Sequence, residues 1–437
     1  MVRVARLVAV VVAILVLLAG CSGDESEPSA ASSSDSSGSA APSADASSDD
    51  EHYQPTDEDR QQIRALLRTR AKALEQGDRQ AFLATVDPDD EKLVKQQTTL
   101  YDNLQLLPVE SVSYSVDDGA GYPTADVDGD DPVFRPEVIE RVRLDVDTRP
   151  VSNTLENTFV RRDEGWLLGA ESVPGKYRQD GEPQSRPWAG SVPIAVARSG
   201  RLLVVTDRDG EVAPQSLADD IADDIRFDAE ALGIAPSYDV LVDATTVGDA
   251  HQMNSVDDAE AAAVTFPVGS FTTDGGGRPA GMRIKVNPDE AARVAADDQV
   301  MRHELTHFLT LERLAGAPTW IKEGLAEWTS TAPATLDDLV VEGDAYEHVM
   351  DVRRRLPTGG RWGLDPQADY LIGRAAVTHL VAEYGPDAVL ALGAAYRRIP
   401  GDDPDEKTDA VLRQAFGISE ADLVAATWAE LGTLHRG

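Results

Sequence analysis

The chain has 437 residues, 42% of them hydrophobic, and a formal net charge of -37 at neutral pH. A chain of that length exceeds what one apolar core normally serves, so two globular units plus non-globular segments are expected. The charge excludes nucleic acid as a partner, because a polyanion gains nothing from counterion release and is repelled by phosphates.

The first residues, MVRVAR, place Arg3 and Arg6 ahead of LVAVVVAILVLLA, Leu7 to Ala19. This apolar run is shorter than the roughly 20 residues that a membrane-spanning helix needs, which predicts a secretion signal over 1–20. Leu18, Ala19, Gly20 and Cys21 resemble the lipobox of bacterial lipoproteins, and Cys21 is the single cysteine of the chain. The resemblance implies lipidation of Cys21 and a membrane anchor through that N-terminal lipid, on the outer face of the bacterial cytoplasmic membrane. A lone cysteine excludes an internal disulfide, so an extracytoplasmic fold must be held by its cores. From Ser22 to Asp50 there is no aromatic or large aliphatic residue to bury. Residues 21–54 therefore read as a disordered Ser/Ala/Asp-rich tether, reaching on the order of 30 Å from the lipid.

Residues 55–184 form the first predicted unit. Asp57 to Ala84 has helical periodicity, with Ile63, Leu66, Leu67, Ala71 and Leu74 on one face, and a second helix is expected over Glu91 to Leu106. Strand-like segments follow at Glu110 to Val116, Glu137 to Val146, Asn153 to Arg161 and Gly165 to Glu171. Helices followed by a curved antiparallel sheet, with the patterns ALEQGDRQAFLATVDP and DEGWLLGAES, resemble the nuclear-transport-factor-two-like cone fold. That resemblance implies an accessory domain that binds a protein partner, and no catalytic set is visible within it. Asp126, Asp128, Asp130 and Glu137 follow calcium-loop spacing, but Asp131 stands where the loop needs glycine, so the run reads as a solvated acidic turn.

Residues 188–437 form the second predicted unit, which begins α+β and becomes helical. Arg201 to Thr206 and Asp239 to Asp243 read as strands flanking an amphipathic helix from Pro214 to Leu232. Ala261 to Phe271 and Gly281 to Val286 read as a hairpin with Gly275, Gly276 and Gly277 at its tip, and helical patterns dominate from Asp289 onward. The fold class is thus α+β in both units.

The chemistry concentrates in MRHELTHF, Met301 to Phe308. With seven histidines in the chain, about 0.007 random HExxH matches are expected, so coincidence is a poor explanation. The predicted helix from Ala295 to Leu311 puts His303 and His307 four apart, with Cβ atoms about 5–6 Å from each other, so both rings can reach one ion. Glu304 lies about 100° round the same helix, placed to take a proton from a metal-activated water. A catalytic zinc site normally has three protein ligands and one open position, and APTWIKEGLAEW supplies two further carboxylates, Glu323 and Glu327.

Together these segments resemble the gluzincin metallopeptidases, the group of thermolysin-like enzymes and aminopeptidase N, and TWIKEGLAEW is similar to the W-x-x-E-G-x-A segment of the aminopeptidase branch and its small bacterial relatives. The resemblance implies Zn2+ as cofactor, Glu323 as third ligand beside His303 and His307, and Glu327 as the acceptor that orients a histidine. The spacing departs from the large families: fifteen residues separate His307 from Glu323 and nineteen separate it from Glu327. Spacing favours Glu327 as the ligand and local context favours Glu323; Glu323 is preferred because loop length varies more easily than the packing of E-G-L-A. The segment DYLIGRAAVTHLVAEYG resembles the helix that follows in the smaller relatives, which makes Tyr370 the candidate for polarising a scissile carbonyl. Gly281 to Val286 is expected as the edge strand beside the zinc helix.

The sequence thus points to a lipid-anchored zinc metallopeptidase acting on a peptide or protein substrate, with Glu304 as general base. The alternative is a non-catalytic surface lipoprotein that uses the same fold to bind protein or cell-wall components.

Overall fold

The computed structural model describes residues 55–121, 132–163, 165–172, 186–246, 262–269, 278–332, 340–341, 343–358, 365–401 and 403–436. The signal segment, Cys21, the tether, His251, the aspartates of the calcium-like turn and the glycines at the hairpin tip lie outside them. Among the described residues no helix is long and apolar enough to cross a membrane.

The first unit opens with α1, Asp57–Gln76, α2, Arg79–Leu83, and α3, Glu91–Leu104. The single helix expected from Asp57 to Ala84 is two, because Gly77 takes a left-handed φ of 68° and closes α1. At the other end of α1, Thr56 and Asp59 form a reciprocal capping box. The strands are β1, Val109–Gly121, β2, Val133–Phe134, β3, Pro136–Leu144, β4, Val151–Arg162, and β5, Gly165–Ser172. They form an antiparallel sheet in which β1, β3 and β4 are neighbours and both β2 and β5 pair with β4. Ile63 and Leu67 of α1 pack on Val138, Leu155, Phe159 and Trp166 of that sheet.

The second unit begins with a strand that the sequence pattern did not reveal, β6, Ile194–Ser199. It is followed by β7, Leu202–Asp207, α4, Pro214–Leu232, β8, Val240–Ala244, β9, Ala263–Val268, and β10, Gly281–Val286. Their order is β6-β7-β8-β10-β9. The β7, β8 and β10 pairings are parallel, whereas β6 on β7 and β9 on β10 are antiparallel. The expected edge strand is therefore corrected: Gly281–Val286 is paired on both sides, and Ala263–Val268 is the edge. Alternation of apolar residues cannot distinguish these two strands, since both are buried almost throughout.

Both faces of this sheet are covered. Leu202, Val204, Val240 and Val242 face a helical layer, while Leu203, Val205 and Leu241 point the opposite way, into a cluster with Leu100, Leu104, Val142 and Trp188. The first unit is thus the second covering layer, and the two units share a continuous apolar interior.

The helical layer continues with α5, Ala291–Ala296, α6, Asp298–Thr310, α7, Thr319–Thr331, α8, Gly343–Asp351, α9, Pro366–Tyr384, α10, Pro386–Leu390, α11, Leu392–Arg398, α12, Thr408–Phe416, and α13, Glu420–Leu431. The expected helix from Ala295 to Leu311 is interrupted at Asp297, which has extended backbone and accepts a hydrogen bond from the Gln299 N–H as the cap of α6.

Candidate metal centre

Helix α6 carries Val300, Leu305 and Leu309 into the core, and this fixes the rotation of the helix, so that His303 and Glu304 are buried with them at 2% and 0% exposure. Helix α7 delivers Glu323, also fully buried. The two helices meet so that Nε2 of His303 and Nε2 of His307 are 3.2 Å apart, and Oε2 of Glu323 is 3.3 Å from each. This buried group could hold a metal ion, and among the described residues it is the only set of His, Cys, Asp and Glu close enough to do so.

Atoms left without partners point the same way. Oε1 of Glu323 and both carboxylate oxygens of Glu304 are buried with no hydrogen-bond partner, a state that is costly unless another group is meant to meet them. The field is matched to a cation. Burial alone would lower the His303 pKa, but the carboxylates of Glu323 and Glu327 override it and raise the value to about 10. For Glu323 burial works upward, yet His307 and His303 bring its pKa down to about 2. Burial raises the Glu304 carboxyl, against the pull of His303 and His307.

The remaining sequence candidates have distinct places. Oε1 of Glu327 stands 3.0 Å from Nδ1 of His303, on the ring nitrogen that does not face Glu323. The Tyr370 ring, 9% exposed, lies 6.2 Å from the His303 ring at an angle of 53°. The other described histidines of the long helices are elsewhere: Nε2 of His348 is 2.6 Å from Asp365, and Nδ1 of His379 is 3.6 Å from Glu430.

Three supporting residues had no sequence signal. Arg302, next to the first histidine, donates from Nε to Asp228 of α4 at 3.2 Å and from Nη1 to the Ala332 carbonyl at 3.1 Å, and also bonds the Thr329 carbonyl. It therefore ties α4, α6 and the end of α7 into one frame. Thr265 of β9 donates its hydroxyl to the Glu304 carbonyl at 3.0 Å, joining the edge strand to the middle of α6. Gly373 of α9 packs against Gly324, the glycine of E-G-L-A: a Cβ on Gly324 would stand 2.3 Å from the Gly373 carbonyl oxygen. Glycine follows Glu323 because only a bare backbone lets α9 approach α7 this closely. The pairing could not be read from either segment alone.

No protein-family model matches this chain, and no curated protein matches it in sequence.

Proposed function

We propose that the chain is a zinc metallopeptidase of gluzincin type, anchored outside the cytoplasm through a lipid on Cys21. The observation that carries this reading is the ligand triangle of 3.2 and 3.3 Å formed by His303, His307 and Glu323, with the unpartnered carboxylate of Glu304 beside it. A tetrahedral zinc with bonds of about 2.0–2.1 Å holds its ligand atoms about 3.3–3.4 Å apart, so the donor set fits that ion without rearrangement. Two imidazoles and one carboxylate also suit zinc chemically and leave a fourth position for substrate or water. The HELTH and EGLAE residues that meet here are those that resemble the gluzincin pattern.

Bound there, zinc would acidify a water molecule and polarise a carbonyl oxygen. The chain supplies the rest. Glu304 takes the proton from the attacking water and returns it to the leaving amine, a role open to a fully buried carboxylate beside the two histidines. Glu323 holds its place by full burial. Glu327 faces Nδ1 of His303 and so favours the tautomer whose Nε2 lone pair points at the ion. Tyr370 donates its phenol to the developing oxyanion.

Metal analysis of the purified full chain, with digestion of fluorescein-labelled casein, tests this reading. Stoichiometric zinc and casein cleavage are expected, and Glu304→Gln is expected to keep the zinc while losing about 10²–10⁴-fold in rate. Absence of zinc, or unchanged hydrolysis by Glu304→Gln, would refute it. Lipidation is checked separately by whether Cys21→Ser releases the protein from membranes.

A further inference from the structure

We infer that the first unit is part of the substrate wall of the candidate site, and that Asp147 and Thr148 are positioning residues that hold the edge strand β9 against the site helix α6. This rests on the peptidase reading for its functional consequence, but its physical content is the restraint of one strand by another unit.

Strand β9 pairs with β10 alone among the described strands, so its other edge meets no described strand. Pro267 within it is tolerated at an edge, where a missing N–H breaks no ladder. One face of β9 is fixed to the site through Thr265 and the Glu304 carbonyl. The alternate residues, Val264, Phe266 and Val268, turn away and pack with Ala280 and with Val151, the first residue of β4 in the other unit.

The turn between β3 and β4 reinforces this contact with polar bonds. Thr148 donates its N–H to the Ala280 carbonyl at 2.7 Å and its hydroxyl to the same oxygen at 2.9 Å, while Ala280 in turn donates to the Val268 carbonyl at 2.7 Å. Arg149 reaches the Arg278 carbonyl at 2.6 Å. Beneath them the Asp147 carboxylate meets Arg283 of β10 at 2.8 and 2.9 Å, both side chains being almost fully buried. The approach is so close that a Cβ on Gly281 would lie 2.1 Å from an Asp147 oxygen. A strand at the end of a sheet would ordinarily fray; here its back and its hairpin end are clamped by another unit. An extended peptide adding to that edge needs the strand in place beforehand, since ordering it on binding would cost affinity.

The test compares the full chain with Asp147→Asn and Thr148→Ala. The latter removes a methyl group and the hydroxyl that bonds the Ala280 and Pro279 carbonyls, keeps the backbone bond to Ala280, and so guards against a variant that fails to fold. Amide exchange over 263–268 is read by mass spectrometry, together with zinc content and the kinetics of labelled casein. The expected result is exchange in β9 faster by about tenfold or more, a raised KM for casein, and unchanged kcat and zinc content. Unchanged β9 exchange in both variants, or lost zinc with no change in β9, would overturn the inference. If the unaltered protein fails to cleave casein, the peptidase reading fails, while the exchange comparison still decides whether the first unit holds β9.

Discussion

Glu327 and Glu323 approach the His303 ring from opposite sides: Oε1 of Glu327 is 3.0 Å from Nδ1, and Oε2 of Glu323 is 3.3 Å from Nε2. Two carboxylates four residues apart on one helix thereby face different nitrogens of the same ring. Glu323→Gln is expected to abolish stoichiometric zinc binding, whereas Glu327→Gln should weaken it by about 10–100-fold. Competition against a chelator of known zinc affinity separates the two, and reversed effects would assign the ligand to Glu327.

Contact between Gly324 and Gly373 sets the distance between α7 and α9, and hence the position of Glu323 relative to Tyr370. Gly324→Ala is predicted to destabilise the fold by about 1–3 kcal/mol through overpacking, despite the better helix propensity of alanine. Chemical denaturation in the absence of metal measures this, and a stabilised variant would contradict the packing described.

Asp224 of α4 gives a pH prediction with a definite sign. Burial, and then the charges of Asp298 and Asp228, raise its pKa from 3.8 to about 7, with Arg302 opposing. The folded state then holds a proton that the unfolded state releases, so this group lowers stability as pH rises from its unfolded value through about 7. Asp224→Asn should raise the melting temperature at about pH 8 and leave it nearly unchanged at about pH 4. Melting curves across that range decide it, and an equal gain at both ends would be inconsistent with titration.

Removal of the first unit should not yield a stable second unit. Leu203, Val205 and Leu241, each 0–1% exposed in the whole chain, would form a bare apolar sheet face. A chain beginning at Arg186 is expected to aggregate or to bind the dye ANS strongly, as size-exclusion chromatography and fluorescence would show. A monomeric, dye-silent product would refute the shared interior.

Much of this protein follows from local pattern. Residues three and four apart on a helix must share a face, so HELTH alone puts His303 and His307 within reach of one ion and Glu304 beside them. The β-rich composition likewise marks β3 and β4, in which buried and less buried positions alternate from Val138 to Leu144 and from Val151 to Phe159 because successive side chains of a strand point to opposite faces. Long-range convergence has no such local signature. Which carboxylate reaches both histidines depended on how α7 crosses α6, a packing that Arg302 of α6 ties through the Thr329 and Ala332 carbonyls. Which hairpin strand forms the edge depended on β8 pairing with β10 across a long stretch of chain, and both strands are too thoroughly buried for sequence to separate. Tertiary structure also decided that the first unit covers the sheet and grips β9, because the apolar residues that make this contact alternate with those of the other core and read simply as buried strand.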